Sequence, residues 1–526
     1  MKRIFYILIF ILWFLFYWNT GQSIENRTDA EDIYEYALMV EEGAEHPWFY
    51  HQHHLLYGSS MRLCYSTAQL FGYNGRAIDI MRLVSALAAA GTLFLFFLFC
   101  YKRFSLRPVS SLLATAFLGM TYGFWRYSAE SEIPLTASVV MVAALFFATD
   151  PGARKRSFIL AILFSVLSVL MHVMNLVAVF AAIPCFYLLQ KRWKKAGWYL
   201  AITAGIVFGI YGLITHAGQL HTAGVSPLRS VGFGPFVKAA VAFCQCVISC
   251  DFMLGFTSVR AFLGELFKSR MLLEEFYLGE RLPRLHVLLS TLTFIASFML
   301  ATACLLRAGW VWKNIIADRK RFQLPDGIPA LVVAGIFISG YAGLLLFIEP
   351  GNPELWVMGL VPFSLLFCGL VLLPLTFDNR LWLPFCMILL LFIHNAGAMR
   401  VLKNPKLDYQ QQKAKTVLEL ASDDDVIITA GNPVFERYLR YHFEGEVLYL
   451  HKHSAEELEN LPELESIGTI YVLGDVFNQP ASLRIRFPEK TSQIAVYASK
   501  LEPHIELVFP DEFGGVWKLQ RNARED

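Results

Sequence analysis

Residues 4–18, IFYILIFILWFLFYW, contain no charged side chain and directly follow Lys2 and Arg3. The run is long for the apolar region of a signal peptide, and no small-residue cleavage site follows it, so we interpret it as a retained signal anchor. Because a helix needs about 20 mostly apolar residues to cross a bilayer, similar runs elsewhere predict further spans. They are residues 79–100, 108–124, 133–149, 157–172, 175–189, 197–214, 285–306, 328–348, 354–374 and 381–397.

Composition supports an α-helical polytopic membrane protein of about eleven spans. Hydrophobic residues make up 56% of the 526 residues and aromatics 15%, and the mean hydropathy is +0.47. These values lie far from those of soluble proteins. The formal net charge is only +2, and Lys and Arg occur in short clusters between apolar runs. We therefore predict that no nucleic acid is bound.

The basic clusters predict the orientation, because short cytoplasmic loops are enriched in Lys and Arg. If the ambiguous apolar patch at 236–256 does not cross the membrane, all of the basic clusters lie on the same side of it. We therefore predict that this patch is re-entrant or interfacial. The N-terminus is then cytoplasmic, and residues 19–76, residues 215–284 and the C-terminus lie outside, at a bacterial inner membrane facing the periplasm. The clusters are Lys2-Arg3, Lys102-Arg103 with Arg107, 154–156, 191–195, 307–321 and Arg380.

The chain changes character after residue 398, where charge rises and apolar runs shorten to strand length. DVIITAG (425–431), EVLYL (446–450) and TIYVLGD (469–475) are typical of buried strands. Helical patterns near 433–442 and 454–461 separate them, and such alternation predicts a small parallel-sheet domain. We therefore divide the chain into a transmembrane domain, 1–398, and a soluble extracytoplasmic α/β domain, 399–526.

The first outer loop contains two groups of side chains that could carry chemistry. TDAEDIYEYA (28–37) contains four carboxylates, which could activate a hydroxyl, bind a metal or merely face water. Four histidines then fall within nine residues, 46–54, among aromatic side chains. Imidazoles and carboxylates suit a divalent metal, although mixtures of His and aromatics also suit the headgroup interface. The sequence permits a metal without requiring one, and no other cofactor is predicted.

Ionisable residues also occur at the ends of predicted spans. Arg126, Glu130 and Glu132 lie between two apolar segments. A charge there needs water, a partner or a ligand, because charge deep in a bilayer costs about 2.5–3.5 kcal/mol. The same ambiguity applies to His172, Asn175, Glu349 and Asn352.

The order of these motifs resembles the GT-C class of membrane glycosyltransferases, and most closely the branch related to protein O-mannosyltransferases. The resemblance covers the first 180 residues by motif and the remainder by layout. Family members usually continue their His-Pro motif with Pro-Gly-Tyr-Pro, whereas this chain has Trp48-Phe49-Tyr50-His51. The matching motifs are Asp29–Asp32, His46-Pro47, Arg82-Leu83-Val84-Ser85-Ala86, Phe124-Trp125 with Glu130 or Glu132, and His172.

The resemblance implies inverting transfer of a sugar, with mannose as the family's example, from a polyprenyl-phosphate donor to a hydroxyl of a protein, lipid or glycan at the outer face. Asp29, Glu31 or Asp32 would be the base, since a hydroxyl is a weak nucleophile at neutral pH. A transporter or flippase of a lipid-linked intermediate, or a non-catalytic membrane scaffold, remains the alternative. The predicted substrate-binding residues are His46, His54, Arg82, Arg126, Glu130, Glu132, His172, Glu349 and Asn352.

Overall fold

The computed structural model describes most of the chain as helix, with one small sheet. The chain forms two compact units. The second unit contains residues 25–35, 253–283 and 401–526. The described residues are 2–27, 32–152, 154–221, 232–267, 273–317, 328–454, 456–457, 468–479, 484 and 488–520.

Each of the eleven predicted apolar runs is helical. By length and composition, seven described helices could cross a membrane, or eight if the bent pair 122–128 and 133–148 is one span. The count of about eleven spans stays a prediction, because other apolar helices are shorter. The described α-helices that precede residue 402 are α1 (Lys2–Gly21), α2 (Asp32–Glu42), α3 (Tyr57–Leu70), α4 (Ala77–Arg103), α5 (Pro108–Met120), α6 (Tyr122–Ser128), α7 (Ile133–Ala148), α8 (Lys155–Met171), α9 (Ile183–Leu189), α10 (Trp193–His216), α11 (Phe233–Val247), α12 (Thr257–Leu266), α13 (Leu273–Arg281), α14 (Arg284–Ala317), α15 (Ile328–Ile348), α16 (Pro353–Phe367), α17 (Leu373–Phe377) and α18 (Trp382–Val401).

Helix α4 packs against α1 and α7 in the first unit, and α7 packs against α8. Small residues permit this close approach: Ala86, Ala89 and Ala90 of α4 are buried. The hydroxyl of Tyr17 in α1 donates to the Gly119 carbonyl at 2.9 Å. Small side chains on a long apolar helix therefore let neighbouring spans contact along its length.

The ambiguous patch at 236–256 forms the 15-residue helix α11 and a following short turn. At 1.5 Å per residue, α11 is about 22 Å long, less than the roughly 30 Å of a hydrocarbon core. It packs on α6, α15 and α16. The Asn395 side chain accepts from the Ser249 amide at 3.0 Å and donates to the Val247 carbonyl at 3.2 Å. These hydrogen bonds satisfy the backbone where the helix ends, and a non-crossing patch stays the prediction.

The second unit differs from the predicted soluble domain because two further segments pack with it. Its C-terminal part begins at Val401, close to the predicted boundary, but 25–35 and 253–283 also belong to it. The amides of Glu25 and Asn26 donate to the Leu402 carbonyl at 2.9 and 2.8 Å. Backbone pairing far along the chain therefore joins part of the first outer loop to this unit.

The sheet of the second unit contains the three predicted strands, β1 (Val426–Thr429), β2 (Glu446–Tyr449) and β3 (Ile470–Leu473). They are parallel, and Ile427 is opposite Val447 and Tyr471. An antiparallel pair that was not predicted, β4 (Ile505–Phe509) and β5 (Val516–Leu519), gives the order β2-β1-β3-β5-β4. The sheet is mixed rather than parallel throughout, because β5 pairs antiparallel with both β3 and β4.

Three helices accompany this sheet in the described residues: α19 (Tyr409–Leu420), α20 (Pro433–His442) and α21 (Pro488–Leu501). The helix predicted at 433–442 is confirmed. Most of the one predicted at 454–461 lies outside the described residues. Buried apolar side chains of the strands pack with Ile494 and Tyr497 of α21, which gives this unit a core of its own.

Candidate functional site

The centre of the candidate site is a buried ion pair between Arg126 and Glu130. Helix α6 ends at Ser128, and the axis of α7 is bent by 109° from that of α6. Glu130 follows Arg126 by four residues and lies at this bend. The Nη1 of Arg126 donates to Oε1 of Glu130 at 2.7 Å. Both side chains are 0% exposed. Such a pair needs its partner, because removing either charge would leave the other buried and uncompensated.

Arg82 of α4 brings a second guanidinium group to the same carboxylate. Its Nε lies 4.0 Å from Glu130 Oε2, and its Nη1 lies 3.4 Å from an Asp79 carboxylate oxygen. Arg82 and Arg126 thus converge on Glu130 from different helices. Two convergent guanidinium groups form an arrangement that suits a phosphate.

A pair of carboxyl groups lies beside this cluster. The side chains of Glu132 and Glu354 lie close to each other, and both lie close to Tyr57. Glu132 is 1% exposed. The oxygens of the two carboxyl groups can accept hydrogen bonds from hydroxyl groups of a ligand.

Asp251 completes the acidic surroundings of Arg126. Its carboxylate accepts from the Ser249 hydroxyl at 2.8 Å and from the Gln245 amide at 2.5 Å. Burial raises the pKa of Asp251, whereas hydrogen bonds from Ser249, Gln245 and Tyr122 and the charge of Arg126 act in the opposite direction. Asp251 was not predicted from sequence, because it lies within the apolar patch 236–256, which contains no recognisable motif.

Histidines gather in the connections between helices. The rings of His51 and His54 stack with centroids 4.5 Å apart, and the rings of His51 and His221 are 5.6 Å apart. Burial and neighbouring histidines lower the pKa of His51 to about 4 and that of His172 to about 3. Burial lowers the pKa of His53 too, although Glu349 opposes the shift. The histidines shifted in this way are neutral at pH 7 and act as hydrogen-bond groups rather than cations.

The remaining predicted residues have local hydrogen-bond partners. Buried His46 accepts from the Trp48 amide through Nδ1 at 3.0 Å. The Asn175 side chain donates to the Ser168 carbonyl at 3.1 Å. Asn352 caps helix α16 by accepting from the Glu354 amide at 3.1 Å, and it donates to Glu349 at 3.2 Å. Asn352 therefore positions Glu354, which sequence analysis did not single out.

Of the three predicted base residues, only Asp32 is among the described residues, and it lies in the second unit. Asp29 and Glu31 lie outside the described residues. Asp32 begins helix α2 and forms an ion pair with Arg437 of α20. Which acidic residue is the base stays a prediction. Within the part of the chain that is described, no group of three or more His, Cys, Asp or Glu side chains could hold a metal ion.

Among solved structures, the fold of this chain is similar to that of ArnT from Cupriavidus metallidurans. Its structure bound to undecaprenyl phosphate matches with a TM-score of 0.53 and 8% identity, covering 98% of both chains. Its apo structure gives a TM-score of 0.46 and 12% identity over 98% of both chains. No protein-family model and no curated protein matches the sequence.

The likeness to ArnT shows that this chain has a GT-C-like fold over nearly its whole length. The chain is therefore a multi-pass membrane protein. The likeness does not extend to the protein O-mannosyltransferase branch, so mannose and a protein acceptor stay predictions.

Proposed function

We propose that this protein transfers a sugar from a polyprenyl-phosphate donor to a hydroxyl acceptor at the outer face of the membrane. The observation that carries the proposal is the convergence of Arg82 and Arg126 on Glu130 within a GT-C fold. The ArnT structure with the same fold is bound to undecaprenyl phosphate. A lipid phosphate is the kind of ligand that two guanidinium groups recognise.

The depth of these arginines supports an outer-face site. Arg103 follows Arg82 by 21 positions in α4. This corresponds to about 32 Å along a helix. That is close to the thickness of the hydrocarbon core. Arg103 belongs to a basic cluster predicted to be cytoplasmic and lies 3.7 Å from Asp150. Arg82 and its partners are then at the opposite face.

The proposed step is a single displacement at the anomeric carbon of the donor sugar. The acceptor oxygen forms a new bond to that carbon while the bond to the phosphate oxygen breaks, and the bonding electrons leave with polyprenyl phosphate. The acceptor proton passes to a carboxylate of the 29–32 motif. Arg82 and Arg126 stabilise the charge on the departing phosphate, which leaves without protonation.

The Glu132–Glu354 pair is suited to hydroxyl groups of the transferred sugar. Its carboxyl oxygens offer acceptors, and Glu132 lies in a water-poor position. His54, whose ring centroid lies 6.1 Å from that of Tyr57, and His172 are neutral at pH 7 and offer hydrogen bonds too. Sugar selection is thus assigned to hydrogen bonds, whereas donor anchoring is assigned to the arginines.

The test is transfer by purified protein in lipid vesicles from a radiolabelled panel of polyprenyl-phosphate sugars, with mannose included. Arg126→Gln should abolish transfer, and Arg76→Gln should retain it, because Arg76 forms an exposed pair with Glu41. Loss in Arg126→Gln alone, with both variants folded, supports the proposal. If folded wild-type protein transfers no sugar from any donor, a transporter of lipid-linked intermediates or a scaffold becomes the better description.

A further inference from the structure

Three cysteines lie close together at the end of α11, at positions 244, 246 and 250. The Sγ atoms of Cys244 and Cys250 are 3.8 Å apart, so the two sulfur atoms are in contact. Both side chains are partly exposed, and both are thiols in the structure. A disulfide bond requires the sulfur atoms to come about 1.8 Å closer. The proposed sugar transfer uses neither thiol.

The polypeptide between the two thiols is held in a turn that folds back on α11. The Gln245 side chain accepts from the Cys250 amide. The Asn395 side chain accepts from the Ser249 amide at 3.0 Å on the other side of the turn. Because hydrogen bonds from two helices fix residues 249 and 250, the thiols of Cys244 and Cys250 are kept opposite each other. Closing the bond therefore requires little movement of the backbone.

The third cysteine of the group has a different environment. Cys246 is 0% exposed, and its thiol donates to the Pro353 carbonyl at 2.9 Å. A Cβ atom built on Gly123 would lie 3.1 Å from Cys246 Sγ, because α6 packs directly against α11. Cys246 is therefore a packing residue. A reagent in solution reaches the partly exposed Cys244 and Cys250 more readily than this buried thiol.

A second pair of thiols shows that contact alone does not define an oxidisable site. The Sγ atoms of Cys100 and Cys368 are 3.6 Å apart, and both side chains are 0% exposed. A disulfide forms by exchange with an oxidant, so at least one thiol must be accessible. Cys100 also adjoins the basic cluster Lys102-Arg103, predicted to be cytoplasmic, where thiols stay reduced. Residues 244–250 belong instead to the loop predicted to lie outside, where disulfides persist.

We propose that Cys244 and Cys250 are an oxidisable pair that forms a disulfide bond and pins the turn carrying Asp251. The oxidant is a disulfide of the outer compartment. One protein thiol loses its proton and attacks a sulfur atom of the oxidant, forming a mixed disulfide and releasing half of the oxidant as a thiolate. The second protein thiol then loses its proton and displaces the other half. The two released thiolates take up the two protons, so the oxidant is reduced to two thiols.

The bond affects the candidate site because the turn brings Asp251 to Arg126. The Asp251 carboxylate accepts from Ser249 and Gln245, and the charge of Arg126 acts on it. In the reduced protein, hydrogen bonds alone hold this turn to α11. A link to Cys250 attaches the residue next to Asp251 covalently to the helix. This restraint does not depend on whether the protein transfers sugar.

Oxidised glutathione, added to the purified full-length protein in detergent, tests the pair. All three cysteines lie in one tryptic peptide, 239–260, because Lys238 and Arg260 flank it. After acid quenching, unfolding and alkylation, this peptide should be lighter by the mass of two alkyl groups and two hydrogen atoms than in reduced protein, and should carry no glutathione. The C246S variant should form the same internal disulfide. Cys100 and Cys368 should be alkylated in full.

Single variants separate an internal disulfide from two independently reactive thiols. C250S should retain glutathione on Cys244, and C244S should retain it on Cys250, because the thiol that displaces it is missing. Glutathione retained on both thiols of the wild type, or no oxidation of either, overturns the proposal. The wild-type result stands without any variant, so a variant that does not fold leaves the test intact. Equal oxidation of Cys100 and Cys368 overturns the selectivity claimed for the outer pair.

Hydrogen exchange tests whether the bond pins the turn. The amides of residues 248–252 should exchange severalfold more slowly in the oxidised wild type, and dithiothreitol should restore the original rate. Unchanged exchange in protein that carries the disulfide overturns the pinning role.

The state of the pair in cells tests the compartment. Cells that express the wild-type protein are quenched in acid and alkylated, and peptide 239–260 should then carry the internal disulfide. Full alkylation of all three of its cysteines overturns oxidation at the outer face.

Discussion

Arg126 shows what a single buried charge requires of its neighbours. Its guanidinium group is 0% exposed and donates at 2.7 Å to Glu130. The pair lies four residues apart, so one helical turn and the bend after Ser128 suffice to bring it together. Its net contribution to stability is small, but breaking it by removing one partner costs about 3–5 kcal/mol.

Replacing Glu130 with Gln should therefore destabilise the protein strongly. We expect a clear fall in melting temperature in detergent, because Arg126 would keep its charge and lose the carboxylate that accepts from it at 2.7 Å. Glu41→Gln removes a carboxylate from the exposed pair with Arg76 and should change stability by only about 0–1 kcal/mol. Equal melting shifts in the two variants would contradict this account of the buried pair.

The histidines predict the dependence of stability on pH. The pKa of His51 is lowered to about 4 and that of His172 to about 3, whereas unfolded histidine titrates near 6.5. Above pH 6.5 both states are neutral. As the pH falls from 6.5 to 4, the unfolded chain binds protons that the folded protein does not, so stability falls.

Melting temperature measured between pH 7.5 and 4.5 checks this expectation. The decline should be shallower in His51→Gln with His172→Gln, because two proton-binding differences are removed. His504→Gln, which changes an exposed histidine, should keep the wild-type slope. An unchanged slope in the double variant would show that other groups govern the acid sensitivity.

At the scale of the elements, the end of β3 and the start of β5 lie close together at glycine residues. The Gly474 amide donates to the Gly515 carbonyl at 2.8 Å. A Cβ atom built on Gly474 would lie 2.3 Å from the carbonyl carbon of Gly514, which is backbone and cannot rotate away. The close approach of the two chains therefore requires glycine at 474.

Gly474→Ala should separate β3 from β5 and destabilise the sheet domain. Hydrogen exchange of the β5 amides in the whole protein should increase, and the melting temperature should fall. Gly309→Ala is the control, because a Cβ built there has no described atom within 4 Å outside its chain neighbours and the backbone of its own helix, and alanine favours a helix over glycine by about 1 kcal/mol. Unchanged protection of β5 would contradict the predicted strand separation.

At the scale of the whole molecule, the proposed reaction depends on which face each connection occupies. Positive clusters predict that the 191–195 connection is cytoplasmic and that the C-terminal domain is outside. Lys194 and Ser499 are both exposed, so cysteines placed there report the two faces.

In intact cells, a membrane-impermeant thiol reagent should label Ser499→Cys but not Lys194→Cys. Permeabilised cells should show labelling at both positions. The wild-type chain, with its nine native cysteines, gives the background. Labelling of Lys194→Cys alone in intact cells would invert the orientation and remove the proposed outer-face site.

The predicted helices and the first three strands could be located from sequence because their signals are local. A run of about 20 apolar residues reports a span wherever it occurs, and short apolar runs between helical patterns report buried strands. Strands β4 and β5 were missed because four of the five residues of β4 are exposed and only one residue of β5 is fully buried. The alternation that would have identified them is weak.

The sequence by itself determined the membrane class, the helical segments and the identity of Arg82, Arg126, Glu130 and Glu132 as charges that need partners. Only the tertiary structure decided which partners they have. Glu354 joins Glu132, and Arg437 joins Asp32 across 405 residues. Local periodicity carries no information about such distant pairs. They form because burial makes an unpaired charge costly, and long-range packing alone determines which opposite charge or hydrogen-bond partner lies within reach.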